Sequence, residues 1–219
     1  MVKGTKAIDV SLVLKEIPLV SREAVAEVTL DMSNAMDSII RASFPHATIV
    51  TDRFHVQQLV SQAVQDVRID LRRAALKEEN KAIKKARAKK VRYEPETFEN
   101  GDTKKQLLAR SHLLLFKPES RMSEGQKKRK EILFKLFPEL HHAYNLAMMF
   151  RSCYENSRSI PEAKMNLYKW YAKVEEKQIE SFLTAADSVR LHEDTILNYF
   201  VHRSTNASAE SFNAKLKGF

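Results

Sequence analysis

The sequence predicts a mostly α-helical protein with a small α/β part among its first residues. Ala, Leu, Lys, Glu and Arg are abundant, whereas only 4 glycines and 6 prolines interrupt the 219 residues, and this balance favours long helices. Two short runs rich in β-formers, both before residue 52, predict the α/β part. Because 43% of the residues are hydrophobic, the chain can bury the core of one domain or of two unequal ones.

The first part of the chain alternates between helix and strand. Residues 5–18 carry apolar side chains at steps of three and four, which is typical of an amphipathic helix, and Pro18 ends it. Residues 25–30 are β-rich, Ser33 is positioned to cap the next helix, and residues 48–51 form a second β-rich run. Two strands joined by one crossover helix predict a right-handed unit with parallel strands.

A long helix and a basic segment follow. From Phe54 onward the apolar residues step by four and three along one stripe, which predicts a long helix. Its far end, residues 77–90, has a single large apolar residue among many basic ones. This segment is therefore either a helix that projects into water or a flexible basic arm.

The helices after residue 100 are predicted from residues that typically begin a helix, namely N-caps and prolines. Asp102 is a candidate N-cap, and Ser123 with Gln126 matches a capping box. Pro138 and Pro161 begin two further helical segments. The result is a large all-helical block between the α/β part and a closing helix.

Charge, cysteine content and hydropathy narrow the functional classes. Lys and Arg outnumber Asp and Glu by 37 to 28, and the surplus of +9 fits either a polyanionic partner or a solvated lysine surface. Cys153 has no partner for an internal disulfide, so we expect a small buried apolar residue rather than a zinc ligand. Neither a membrane-spanning run nor a signal peptide is evident, which predicts a cytoplasmic protein without a membrane partner.

Two carboxylates follow the two predicted strands. Asp31 comes directly after the first β-rich run and Asp52 directly after the second. Since the strands are expected to be parallel neighbours, both residues should emerge at the same edge of the sheet, where open α/β sheets place their sites. Either aspartate could instead cap the helix that follows it, and the pattern alone favours capping.

Two further patterns accompany these carboxylates. Asp52 and His55 lie three apart on a predicted helical turn, so that carboxylate and imidazole can touch, although a helix cap with a satisfied histidine is an equally simple interpretation. A closing helix, capped by Thr205 or Asn206, has a polar face. Its members recur at steps of four, three and four, namely Asn206, Glu210, Asn213 and Lys217.

Three stretches together carry a family resemblance. Residues 28–33, 44–56 and 204–217 resemble the ISL3-like group of insertion-sequence transposases in their order, in their spacing and in the long helices between them. The resemblance implies an RNase H-like fold, of which this chain holds a partial sheet with a large helical insertion. It also implies residues 1–68 as partial α/β core, 69–195 as insertion and 196–219 as the closing helix that returns to the core.

The resemblance also implies a site and its partners. Asp31 matches the second and Glu210 the third of the family's three catalytic carboxylates, which hold Mg²⁺ or Mn²⁺, while Asp52 and His55 match a supporting Asp-x-x-His element. Asn206 and Asn213 are expected to support the same site. Transposon ends and target DNA are the expected partners, in a homo-oligomer of the full-length protein. The residues expected to track the DNA backbone are Lys84, Lys85, Arg87, Lys89, Lys90 and Lys217.

The chain departs from the family pattern in one respect. The first carboxylate belongs to an earlier strand, and no stretch before Val25 matches it, since Asp9 falls inside a predicted helix. We therefore interpret the sequence as amino-terminally truncated and expect it to be inactive by itself, because Mg²⁺ affinity depends on the number of carboxylates.

Two other functional classes stay open on the sequence alone. The chain could be a non-catalytic helical DNA-binding or interaction module, with the basic residues 77–90 as its functional surface. Its helical block could also chiefly mediate self-association through aromatic residues, although core packing is the more common use of such side chains. These aromatic residues are Tyr144, Phe150, Tyr168, Trp170 and Tyr171.

Overall fold

The computed structural model describes residues 7–205, and most of them are helical. The elements are α1 (Ala7–Lys15), α2 (Leu19–Glu23), β1 (Glu27–Leu30), α3 (Asn34–Ser43), β2 (Thr48–Thr51), α4 (Arg53–Ala88), α5 (Lys104–Arg110), α6 (Glu124–Leu136), α7 (Pro138–Asn156), α8 (Ile160–Lys177), α9 (Glu180–Leu191) and α10 (Glu193–His202), with two short 3₁₀ turns at Leu114–Phe116 and Glu119–Arg121. The prediction of a mostly helical protein with a small α/β part is confirmed.

The described chain forms two compact units. The first, here called the sheet unit, contains the residues up to Gln58, Cys153–Tyr168 and the residues from Asp187 onward. The second, here called the helical unit, contains Leu59–Ser152 and Lys169–Ala186. Among the described helices, no segment combines the length and the apolar character that a membrane crossing requires.

The predicted strand-helix-strand unit is present. β1 and β2 pair in parallel, with Val28 opposite Ile49 and Leu30 opposite Thr51. Between them, α3 begins as expected at Ser33, whose hydroxyl accepts a hydrogen bond from the backbone N–H of Met36 at 3.5 Å. The apolar stripe of α3 is buried, because Ile39 and Ile40 are almost inaccessible to water.

The two edges of this small sheet differ. Backbone groups alternate in direction along a strand, so the carbonyl of Ile49 points away from β1. There it accepts a hydrogen bond from the side-chain amide of Asn198 on α10 at 2.8 Å, and nearby the hydroxyls of Thr51 and Thr195 lie 2.7 Å apart. Helix α10 therefore covers the outer edge of β2, whose last three residues are buried.

The outer edge of β1 has no such cover in the described part of the chain. By the same alternation, the backbone N–H and C=O groups of Glu27 and Thr29 point away from β2. The described residues form a sheet of two strands only, and all four residues of β1 are half-buried. β1 is therefore an open edge strand.

The long helix predicted from Phe54 is α4, with 36 residues. In the helical unit its first turns are buried, as shown by Val60, Val64 and Val67. Beyond Ala75 none of its residues is buried, and the helix nevertheless continues to Ala88. Of the two alternatives for the basic segment, the structure contains a helix rather than a flexible arm, and one face of that helix contacts the segment before α5.

Aromatic packing forms the core of the helical unit. Trp170 is completely buried, its indole N–H donates to the carbonyl of Leu146 at 3.0 Å, and its ring centre lies 4.7 Å from that of Phe150. Tyr144 is also buried. Most of the aromatic side chains considered above for self-association therefore serve core packing rather than an exposed interface. In the sheet unit Cys153 is buried as predicted, and burial raises the pKa of its thiol to about 11.

The N-caps of two helices in the helical unit were predicted from the sequence, one correctly and one wrongly. Ser123 and Gln126 form the predicted capping box of α6. The prediction that Asp102 caps α5 is wrong, because Thr103 is the cap and forms its own capping box with Gln106. The rule that short polar residues cap helices does not decide between two adjacent candidates.

Asp102 instead holds a buried ion-pair cluster. Its carboxylate is inaccessible to water and contacts two guanidinium groups, that of Arg129 at 3.0 Å and that of Arg110. The amide of Asn100 donates a further hydrogen bond at 2.9 Å. Burial alone raises the pKa of Asp102, but the hydrogen bonds from Arg129 and Arg110 outweigh that effect and hold the pKa below its ordinary value.

Candidate functional site

The ends of the two strands lie side by side. Leu30 pairs with Thr51, and one residue further the backbone N–H of Asp52 donates to the carbonyl of Leu30 at 2.7 Å. Asp31 follows Leu30 directly, so Asp31 and Asp52 leave the sheet at the same edge, as the parallel arrangement predicts. The sheet unit thus brings two of the sequence-predicted residues together.

The two aspartates have different environments. Asp52 is 2% exposed, and its carboxylate oxygen Oδ1 accepts a hydrogen bond from the backbone N–H of Phe54 at 3.1 Å. That bond satisfies one of the free N–H groups of the first turn of α4, so Asp52 acts as a helix cap. Asp31 is exposed, and its carboxylate makes no hydrogen bond or ion pair to any other described residue. Asp31 is therefore the aspartate that is free to bind a ligand.

His55 is not hydrogen-bonded to Asp52 within the described part of the chain. Its imidazole instead packs edge-on against the ring of Phe54, with the ring centres 5.6 Å apart. The three-residue spacing does not produce a hydrogen bond here, and the Asp52 carboxylate instead accepts one from the backbone N–H of Phe54. Asp52 directly precedes α4 and His55 lies in its first turn, so both residues are near the strand ends.

Arg53, next to Asp52, makes contacts near the strand ends that were not predicted from the sequence. Its guanidinium lies 5.3 Å from the ring centre of Tyr154 and 3.8 Å from the carboxylate of Glu155. Tyr154 is buried, which raises the pKa of its phenol, and its ring packs near those of Tyr199 and Phe200. These contacts fix the first turn of α4, which carries His55 and directly follows Asp52.

Local patterns could not reveal the contacts of Arg53. About a hundred residues separate Arg53 from Tyr154, and neither residue belongs to a recognisable motif. The one available signal was the position of Arg53 next to Asp52.

The closing helix expected to complete the site lies outside the described residues. Asn206, Glu210, Asn213 and Lys217 all fall in the range 206–219. Thr205, the alternative cap of that helix, is described and is exposed. The described part of the site therefore consists of Asp31, Asp52, His55 and the contacts of Arg53.

Comparison with protein families identifies the family to which the chain belongs. A family model of transposases, the ISL3 group, matches residues 1–219. The chain belongs to the ISL3-like transposase family. No curated protein matches this transposase, and no solved structure matches it.

Transposases of this kind generally use divalent metals, for which acidic side chains are the usual ligands. Among residues 7–205, no three His, Cys, Asp or Glu side chains are grouped closely enough to hold an ion. Asp31 offers an exposed hard oxygen donor of the kind that Mg²⁺ prefers, whereas Asp52 is used as a cap. The described residues thus provide one available ligand and would need others, of which Glu210 is the expected one.

The expected DNA-binding residues of the transposase lie near the end of α4. Lys84, Lys85 and Arg87 belong to its last turns, Lys89 and Lys90 follow it, and all five are exposed. Lys90 has a positive φ of 56°, a backbone conformation that marks the end of the helix. Lys217 lies outside the described residues.

Proposed function

We propose that this chain belongs to the catalytic domain of a DDE-type transposase, which cleaves DNA strands and transfers them to a target. Asp31 and Glu210 are its catalytic carboxylates, with Asp52, His55, Asn206 and Asn213 in supporting positions. The single observation that carries the proposal is the exposed carboxylate of Asp31 at the carboxyl end of a parallel strand, in a chain that belongs to a transposase family.

The open edge of β1 supports an RNase H-like organisation of the domain. Edge strands are exposed to unwanted pairing, so a further strand beside β1 would protect it. The unpaired backbone groups of Glu27 and Thr29 can accept a further strand, while α10 already covers the opposite edge of β2. In the same proposal, residues 1–68 and 196–219 belong to this core, and 69–195 form the helical insertion.

The residues of the site have distinct roles in this proposal. Asp31 and Glu210 would hold a divalent metal, Mg²⁺ or Mn²⁺, which supplies charge stabilisation at the phosphodiester. Asp52 fixes the start of α4 by capping it, and Arg53 holds the same turn through Tyr154 and Glu155. DNA is the substrate, and the complete transposase acts as a homo-oligomer.

The proposal is tested by replacing Glu210 in the complete transposase. We expect Glu210→Gln to reduce cleavage of a DNA substrate that carries the transposon end by about a hundredfold or more, because a metal-bound transition state is stabilised by several kcal/mol. Glu193→Gln, on the described helix α10, is the matched control. Retained cleavage by the Glu210 variant would contradict the assignment.

A second expected result concerns the 219-residue chain by itself. It contains Asp31 and Glu210 but no match to the first carboxylate, and Asp9, the earliest aspartate, lies exposed on α1. We therefore expect the purified chain to cleave no DNA in the presence of Mg²⁺, since two carboxylates bind the ion weakly. Gel analysis of an end-labelled duplex measures this, and Mg²⁺-dependent cleavage that disappears on Asp31→Ala would contradict it.

A further inference from the structure

Between Lys77 and Lys84, the exposed part of α4 carries its lysines and its glutamates on different faces. Lys77, Lys81 and Lys84 follow one another at steps of four and three residues, so they lie along one face of the helix. We call these three lysines the outer stripe. All three are exposed, and none forms an ion pair with a residue in the described range 7–205.

The opposite face of α4 carries the acidic residues. Glu78, Glu79 and Ala82 line a cleft together with Tyr93 and Thr103, so this face lies against the segment that connects α4 to α5. In that cleft each glutamate has its own lysine partner. Lys104 contacts Glu78 at 2.7 Å, and Lys105 contacts Glu79 at 2.8 Å.

These ion pairs leave the outer stripe with an uncompensated positive charge. The two glutamates nearest in sequence are directed to Lys104 and Lys105 and are neutralised there. Between Ala75 and Ala88 the helix has no other acidic residue. Lysines on an exposed helix that are used only for solubility are usually interspersed with acidic residues, so a one-sided distribution favours an anionic partner.

We infer that the outer stripe binds the phosphate backbone of duplex DNA. The inference rests on the proposed function for the choice of DNA among polyanions, and within the basic segment 77–90 it selects one face, on which Lys77 and Lys81 lie beside Lys84. At 1.5 Å per residue, Lys77 and Lys84 are about 10 Å apart along the helix, which equals the axial rise of roughly three nucleotides in one strand of duplex DNA at 3.4 Å each. Flexible lysine side chains that contact phosphates bind without reading the base sequence.

The test neutralises the stripe in the 219-residue chain, with the substitutions Lys77→Gln, Lys81→Gln and Lys84→Gln. Fluorescence anisotropy with a labelled duplex of arbitrary sequence, in EDTA and at several salt concentrations, gives Kd and its salt dependence. We expect binding at least about tenfold weaker at low salt, and a slope of log K against log salt smaller by about 2.7, that is about 0.9 for each lost contact. Gln is a good helix former, so the variant should fold, as far-UV circular dichroism can verify.

A control with the same change in net charge isolates the stripe. Lys128→Gln, Lys135→Gln and Lys169→Gln remove three exposed lysines from α6 and α8 of the helical unit. This variant should keep most of the affinity and slope, and arginine at the three stripe positions should preserve both. Equal losses in stripe and control variants, unchanged binding by the stripe variant, or stronger stripe-dependent binding to RNA than to DNA would each overturn the inference.

The inference and the proposed function can fail separately. Binding in EDTA does not require the catalytic carboxylates, and cleavage by the complete transposase does. If the stripe variant binds DNA normally while Glu210→Gln abolishes cleavage, the inference is wrong and the proposed function stands. If the stripe variant loses binding while cleavage tolerates Glu210→Gln, the proposed catalytic role is wrong and the DNA surface stands.

Discussion

Replacing Asp31 with Asn should reduce DNA strand cleavage by the complete transposase by about a hundredfold or more, because a catalytic metal stabilises the transition state by several kcal/mol. The substitution keeps the size of the side chain and removes its charge. The fold should be unaffected, since Asp31 is exposed and makes no hydrogen bond or ion pair with other residues between positions 7 and 205. The expected change in melting temperature is therefore close to zero.

Asp9→Asn is the matched control for this experiment. Asp9 is an exposed aspartate of the same sheet unit, on α1, and belongs to no predicted site. Cleavage is measured under single-turnover conditions with both variants and the unmodified transposase. If Asp31→Asn and Asp9→Asn cleave at the same rate as the unmodified protein, Asp31 is not a catalytic residue.

The largest expected effect on stability belongs to Asp102. Replacing it with Ala should lower the free energy of unfolding by about 2–4 kcal/mol, because two guanidinium groups and the amide of Asn100 lose their buried partner. The value lies toward the lower end for a broken buried pair, since the side chains of Arg110 and Arg129 are partly exposed and water can solvate them. Urea unfolding followed by circular dichroism measures the change.

Asp102 also makes the free energy of unfolding depend on pH. The pKa of Asp102 in the folded protein is below its value in the unfolded chain, because the hydrogen bonds from Arg129 and Arg110 outweigh the opposing effect of burial. A carboxyl group of this kind contributes its full stabilisation above its unfolded pKa, about 3.9, and loses it as the pH falls through the lower folded pKa. The stability gap between the unmodified chain and Asp102→Ala should thus be constant near neutral pH and shrink in acid.

Asp70→Ala provides the comparison for Asp102. Asp70 also belongs to the helical unit and also pairs with an arginine, Arg73, at 3.1 Å, but both side chains are about three-quarters exposed. An exposed ion pair of this type contributes at most about 1 kcal/mol. A loss of stability on Asp102→Ala no larger than that on Asp70→Ala would show that burial gives the cluster no special importance.

The sequence predicted the parts of the fold that depend on local signals. The two β-rich runs, Ser33 as a cap and the capping box of Ser123 each involve residues close together in the chain, and each has a clear physical signature. The parallel pairing also followed, because a single crossover helix allows few alternatives. These signals were sufficient to predict that Asp31 and Asp52 lie at the same edge of the sheet.

Prediction was less successful where two local interpretations compete. At Asp102 and Thr103 either residue could cap α5, and the choice depended on Arg129, which lies 27 positions away and draws the aspartate into a buried cluster. At Asp52 the sequence left both a cap and a site residue open, and the hydrogen bond to Phe54 identifies the cap. The contacts of Arg53 with Tyr154 depend entirely on tertiary packing, which no local pattern encodes.

The open edge of β1 also bears on how the isolated chain behaves in solution. The outward N–H and C=O groups of Glu27 and Thr29 pair with no strand in residues 7–205, so they form a template on which a second polypeptide can add a strand. The charge of Glu27 opposes such association, as charged residues commonly do on edge strands. Dilute, low-salt conditions preserve that repulsion, and they are also the conditions under which lysine contacts to DNA are strongest.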